Sequence, residues 1–275
     1  MITIKKLGFS YGDHVVLKDI SMELQEGRIY GLLGENGVGK TTLLTLLAGL
    51  KKVEDGNLDV DGKIPYHREP SFLSNVYYLP DEVPAPRRKA IDFAHDHGQY
   101  WTNFSIQKFS EIMKVFDNEE DQRMDQMSYG QLKKTFISFA LACNTKYLLM
   151  DEPTNGLDIP SKAQFRKAVS KYTSDDSTLI ISTHQARDLE AIIDPIIILD
   201  HRDVLLNASL DEIAQKLYFD YSSDVDPTAL YQEMVPGGNI QVSVNKTGAE
   251  SKVNIEALFN AVLLHKSEIK EMFNK

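Results

Sequence analysis

Apolar residues fall in two patterns along the chain. Compact runs occupy residues 28–33 (RIYGLL), 147–150, 178–182 and 196–199. Short runs apolar at consecutive positions read as strands buried on both faces of a parallel sheet. Between them apolar positions recur at helical spacing. Residues 41–50 read as a Leu-rich helix with Gly49 near its end. Strands alternating with helices predict an α/β fold built on a parallel sheet. Residues 83–142 break the alternation. Pro84 and Pro86 open a stretch that is mostly helical in pattern, which reads as an insertion between two halves of the α/β core. After His201 the pattern changes again. Residues 201–203 can turn the chain into a run at 204–206, and Ser209 and Glu212 have capping-box spacing for a short helix. Pro236-Gly237-Gly238 separates an expected helix from an alternating strand at 240–244, and a last helix begins near Asn254. The expected organisation is a core at 1–82 and 143–200, a helical subdomain at 83–142 and a small α+β appendix at 201–275.

Composition narrows the class. A chain of 275 residues buries enough surface to fold without disulfides, and Cys143, its one cysteine, has no internal partner. With 30 Lys+Arg against 40 Asp+Glu the net charge is −10, which repels a phosphate backbone and argues against nucleic acid as a partner. No run approaches 18 consecutive apolar residues, and the opening MITIKKLGFS has no apolar signal core. The expectation is a cytosolic protein that neither spans a membrane nor enters the secretory route.

The candidate chemistry is concentrated in short motifs. Gly34-Glu-Asn36-Gly37-Val-Gly39-Lys40-Thr41 matches GxxxxGK[ST] and lies between a predicted strand and a predicted helix, the context this phosphate loop requires. Glycines let backbone N–H groups turn inward onto phosphates, and the helix N-terminus adds partial positive charge. Lys40 would reach the β- and γ-phosphates, and the Thr41 hydroxyl would ligate Mg²⁺. Residues 147–152 (YLLMDE) form an apolar strand ending in two carboxylates. Asp151 would hold Mg²⁺ through a water, and Glu152 would accept a proton from an attacking water. Met127-Ser128-Tyr129-Gly130-Gln131 precedes an amphipathic segment. Its S-x-x-Q spacing is that of a capping box, which helices also use without any ligand.

Taken in order, these motifs resemble the nucleotide-binding subunit of an ATP-binding-cassette (ABC) transporter over roughly residues 2–200. The segment LLMDEPTNGLD at 148–158 and Thr183-His184 after a strand complete the match. YLPDE at 78–82 and DEPTNGLD look most like cassettes of antibiotic or drug exporters. The resemblance implies a P-loop NTPase (RecA-like) fold with an antiparallel β edge. It implies an ATPase using ATP and Mg²⁺, a multi-span membrane permease as partner, and a homodimer or heterodimer of cassettes at the inner face of the cell membrane. Tyr11 matches the aromatic that stacks on adenine. Gly34, Asn36, Gly37, Gly39, Lys40, Thr41 and Thr42 match the phosphate-binding positions. Ser128, Gly130 and Gln131 match the signature that completes the partner's ATP site. Asp158 matches the loop that crosses the dimer interface, and His184 the residue that contacts the γ-phosphate and orients the water or Glu152. The alternatives are a soluble ABC-type ATPase, such as one serving iron–sulphur assembly, and a clamp that binds ATP but hardly hydrolyses it.

Two positions depart from the pattern. Tyr129 stands where the signature usually has glycine, and a ring there should narrow the backbone's approach. Asp81 stands where the family commonly has a Mg²⁺-ligating glutamine. It can bind Mg²⁺ but adds negative charge beside Asp151 and Glu152. Other features read as scaffold: His95 and His97 as a surface pair, residues 118–121 (NEED) as a solvated turn, and Trp101 and Phe104 as core rather than a permease dock.

Overall fold

A computed structural model describes residues 1–273. The last two positions of the expected appendix lie outside the described residues. The apolar runs become the middle of a six-stranded sheet. Its strands are β3 (Ile29–Leu33), β5 (Val76–Leu79), β6 (Tyr147–Asp151), β7 (Thr178–Thr183), β8 (Ile196–Asp200) and β9 (Asp203–Ala208), in the order β5-β6-β7-β3-β8-β9. All pairs are parallel except the β8–β9 hairpin. Every residue of β6, β7 and β8 is buried, the reason their middle positions are apolar without alternation. The register places Asp151 beside Ser182, and Leu33 beside Thr183. The C-terminal ends of β6, β7 and β3 therefore finish level, and the loops that follow them open on one edge. That edge is where open α/β sheets bind ligands.

A second, antiparallel sheet packs against this one. It consists of β1 (Ile2–Tyr11), β2 (His14–Leu24) and β4 (Asp55–Val60), in the order β2-β1-β4. Helix α1 (Lys40–Leu47) shares its apolar core, and all but Thr41 of its eight residues are buried. The short α2 (Pro70–Leu73) leads into β5.

Helices α3 (Ala90–Gly98), α4 (Ile106–Val115) and α5 (Tyr129–Ala142) lie between β5 and β6. Phe139 of α5 centres an aromatic cluster, with ring centroids 5.3–5.7 Å from Phe93, Phe104, Tyr77 and Trp101. Phe139→Ala should therefore cost about 3–5 kcal/mol of stability. Urea unfolding measures this, and a loss under about 1 kcal/mol would show that the cluster is not tightly packed. Trp101 is half core and half surface: its Nε1 donates to the Val76 carbonyl at 3.0 Å, and one side of the indole lines a groove.

In the run at 118–121 the acids lie at or near the surface, as expected of a solvated turn, but Asn118 does not. Asn118 is buried, and its Nδ2 donates to the Gln131 carbonyl and to Thr135 Oγ1, both at 2.9 Å. It thus ties the first turns of α5 to the loop after α4.

Helix α6 (Ile159–Tyr172) links β6 to β7 along the chain, and its buried Phe165, Ala168 and Val169 share the core with α4 and α5. The appendix contains α7 (Leu210–Lys216), β10 (Leu217–Ser222), β11 (Tyr231–Val235), β12 (Gly238–Val244), α8 (Ile255–Leu264) and α9 (Lys266–Phe273). The helix expected before Pro236 is not there. Residues 231–235 form an edge strand paired with β12, and Pro236-Gly237 turns between them. The sequence YQEMV has no strong strand signal, so pairing to β12 overrides local propensity. Ser209 and Asn254 cap α7 and α8 through the N–H groups of Glu212 and Ala257. Among the described residues, no helix is long and apolar enough to cross a membrane.

Candidate functional site

The loop after β3 curls back into α1. Gly37 and Gly39 hold φ of +82° and +112°, and a Cβ on Gly39 would press on Val16 and Leu17 of β2. Only glycine meets both demands. No side chain caps α1, and the N–H groups of its first turn have no intrahelical partner. Lys40 is only 5% exposed. Its Nζ donates to the carbonyls of Gly34 (2.7 Å) and Glu35 (3.1 Å) and stands 3.6 Å from Glu152 Oε1. Burial lowers the Lys40 pKa, and Glu152 and Asp151 oppose that shift.

The carboxylates enter from β6. Asp151 is buried. Its Oδ1 accepts from the Ser182 hydroxyl at 2.5 Å, and its Oδ2 from the Tyr78 hydroxyl at 3.4 Å. Burial and the neighbouring Asp151 raise the Tyr78 pKa, so Tyr78 stays a donor. Glu152 adopts φ +44°, a left-handed conformation unusual for a residue with a Cβ and frequent at functional sites. Its N–H donates to Ser182 Oγ at 3.0 Å, its Oε1 lies 3.0 Å from His184 Nδ1, and its Oε2 accepts from the His184 N–H at 3.4 Å. Oε1 is buried and makes no hydrogen bond of good geometry.

A cleft of about 390 Å³ joins these parts. Its walls include Tyr11, Lys40, Thr41, Thr42, Asp81, Asp151 and Glu152, with Asn36, Gly37 and Gly39 at the loop. Tyr11 sits half-exposed at the mouth. Its hydroxyl is 3.3 Å from Thr42 Oγ1, and the Lys51 ammonium lies 4.7 Å from its ring centroid. Gly34 contributes the carbonyl that holds Lys40, while a Cβ there would strike the Leu199 carbonyl of β8. The donor set, an open helix N-terminus and a buried ammonium, fits a nucleotide triphosphate, and the unpartnered Glu152 Oε1 beside it is an acceptor left for a water. Among the described residues no three His, Cys, Asp or Glu side chains converge on a metal position. Thr41, Asp151 and Asp81 line the same cleft, a set of the kind that binds Mg²⁺ together with substrate phosphates.

The remaining expected residues lie elsewhere. Ser128, Gly130 and Gln131 are not in the cleft. Ser128 and Gln131 form the complete capping box of α5, at 3.2 and 2.9 Å. Asp158 caps α6 by accepting from the Ser161 N–H at 2.9 Å, and these bonds lower its pKa. His95 and His97 are exposed, as a surface pair should be. Tyr129 turns its ring toward Gly156 and donates its hydroxyl to the Asp81 carbonyl at 3.1 Å, so its bulk is taken up within its own chain. Sequence reasoning missed Ser182 and Lys133. Ser182 was findable, because parallel register sets it beside Asp151. Lys133 carried no signal, since a lysine on a helix ordinarily reads as surface.

A glycine loop between β3 and α1, with acids at the end of the neighbouring β6, defines a P-loop nucleotide hydrolase. The family model described as ABC transporter matches residues 17–155. An uncharacterised ABC transporter ATP-binding protein of Methanocaldococcus jannaschii is 29% identical over 94% of this chain and 95% of its own. A lantibiotic transport ATP-binding protein of Streptococcus pyogenes is 27% identical over 77% and 92%. A dimeric ATP-binding cassette solved in a post-hydrolysis state with ADP and phosphate shares the fold, with TM-score 0.67 at 20% identity over 76% of this chain and 99% of that one. The chain belongs to the ABC transporter family and is an ATPase cassette of it.

Proposed function

We propose that this cassette powers a separate multi-span membrane permease by ATP-dependent pairing, in the export direction, and works at the cytoplasmic face of the membrane through that partner. The observation that carries the reading is the division of the motifs. The cleft gathers Lys40, Asp151 and Glu152, with His184 beside Glu152, but leaves Ser128 and Gly130 at another surface. A second cassette, identical or homologous, supplies the missing signature. The lantibiotic relative supports export. A groove of about 520 Å³ lined by Leu50, Pro70, Leu73, Tyr100 and Trp101 offers an apolar dock for a cytoplasmic helix of the permease, with Tyr100 69% exposed at its edge.

In this reading Tyr11 stacks on adenine, and the loop N–H groups, Lys40 and Thr42 hold the phosphates. Mg²⁺, held by Thr41 and Asp151 with Asp81 near, would neutralise charge growing on the β- and γ-phosphate oxygens. Glu152 accepts a proton from water as the water oxygen bonds to the γ-phosphorus. The bond from that phosphorus to the bridging oxygen breaks, and ADP leaves with the oxygen. The His184 N–H donates to Glu152 Oε2, and its ring stands 3.0 Å from Oε1. Copurification from membranes tests the proposal. Recovery of a multi-span protein, with ATP turnover stimulated by that protein's cargo, is expected. Recovery only in the soluble fraction with iron–sulphur proteins would overturn it.

A further inference from the structure

Lys133 lies five residues beyond the cap of α5 and is fully buried. A buried ammonium is costly unless paired and hydrogen-bonded. Here both conditions are met by one residue. Lys133 Nζ donates to the Asp81 backbone carbonyl, and to Asp81 Oδ1 at 3.2 Å. The Tyr129 hydroxyl donates to the same carbonyl at 3.1 Å, and Asn155 Nδ2 lies 3.3 Å from both carboxylate oxygens. Tyr129 and Asp81, the two departures from the family pattern, are therefore in direct contact. Gly156, next to Asn155, completes the fit: a Cβ there would lie 2.7 Å from the Tyr129 ring. Burial lowers the Lys133 pKa, while Asp81, and more weakly Asp151 and Glu152, favour its charged form.

The geometry points to Lys133 as a positioning residue for Asp81: with Tyr129 and Asn155 it latches the segment after β5 to α5, and it presents the Asp81 carboxylate to the cleft as half of a neutral pair. A carboxylate in place of a neutral amide would otherwise add a full negative charge beside Asp151 and Glu152. The matching cation arrives from a helix 52 positions away in sequence. The charge of the cleft is thereby tied to the placement of α5. The part of this inference that concerns nucleotide rests on the ATP-site reading; the latch itself does not.

A double-mutant cycle separates the two. Thermal unfolding is measured without nucleotide for the full chain, Asp81→Gln, Lys133→Met and the double variant. Asp81→Gln strands the buried ammonium and should lower Tm by roughly 4–8 °C, whereas the double variant should recover at least half of that loss. Additive Tm changes would overturn the latch whether or not the chain hydrolyses ATP. Where Lys133→Met does not fold, Lys133→Gln takes its place with the same expected rescue. The second readout is ATP binding in EDTA. Lys133→Met bares the Asp81 charge and should weaken binding about 3–10-fold, and adding Asp81→Gln should restore it. Unchanged binding in Lys133→Met, with binding by the unaltered chain intact, would overturn the neutral-pair assignment. Failure of the unaltered chain to bind ATP would instead overturn the ATP-site reading and leave the Tm cycle as the judge of the latch.

Discussion

Glu152→Gln lowers ATP turnover by about 10²–10⁴-fold, the usual loss when a general base is removed, while ATP still binds. The geometry makes this a clean substitution. Glutamine keeps the length of the side chain and an oxygen able to accept from the His184 N–H, at present 3.4 Å from Oε2. It loses the capacity to take up a proton. Oε1 is the atom concerned: it is buried, near His184 Nδ1 and Lys40 Nζ, and without a good hydrogen bond of its own. Backbone strain at φ +44°, restrained by bonds from the Glu152 N–H to Ser182, aims this side chain and is untouched by the change. If hydrolysis opens a pair of cassettes, the variant should also accumulate as an ATP-bound dimer. Steady-state turnover and size-exclusion chromatography with ATP measure both effects. Near-normal turnover would remove Glu152 from the role of base.

Lys40→Ala acts on an earlier step and should reduce ATP affinity about 10²–10⁴-fold. Hydrogen bonds to charged groups contribute about 1.5–3 kcal/mol each, and the ammonium would make two, one to each of the β- and γ-phosphates. Its present partners, the carbonyls of Gly34 and Glu35, hold it over the loop at 2.7 and 3.1 Å, so it is placed rather than mobile. The substitution also leaves Glu152 without its nearest cation, which stands 3.6 Å away. The two variants should therefore not add: in the double variant the turnover loss falls well short of the product of the single losses. Calorimetric titration with ATP checks the affinity. Binding within threefold of the unaltered chain would place the phosphates elsewhere.

The parts of this site that were legible in the sequence share one property: their partners are close along the chain. The phosphate loop needs only Gly34 through Thr41 and the strand and helix on either side. The capping box needs Ser128 and Gln131, three residues apart. Strands β6, β7 and β8 were readable because burial on both faces keeps their middle positions consecutively apolar, with polar residues only at their ends. Residues 231–235 were misread because an edge strand's state depends on the neighbour it pairs with. Asn118 was misread for a related reason, since its two partners lie 13 and 17 residues away on α5.

From its own order of residues, then, the chain determined the glycine curl, the buried strands and the caps. These follow from backbone sterics and local hydrogen bonding. Only the tertiary structure decided which distant groups meet. Parallel register set Ser182 beside Asp151. Packing of α5 against the sheet set the charge at Asp81 against a buried lysine, Lys133. The physical reason is that the energy of a charge depends on what surrounds it within a few ångströms, and that neighbourhood exists only once the chain has folded.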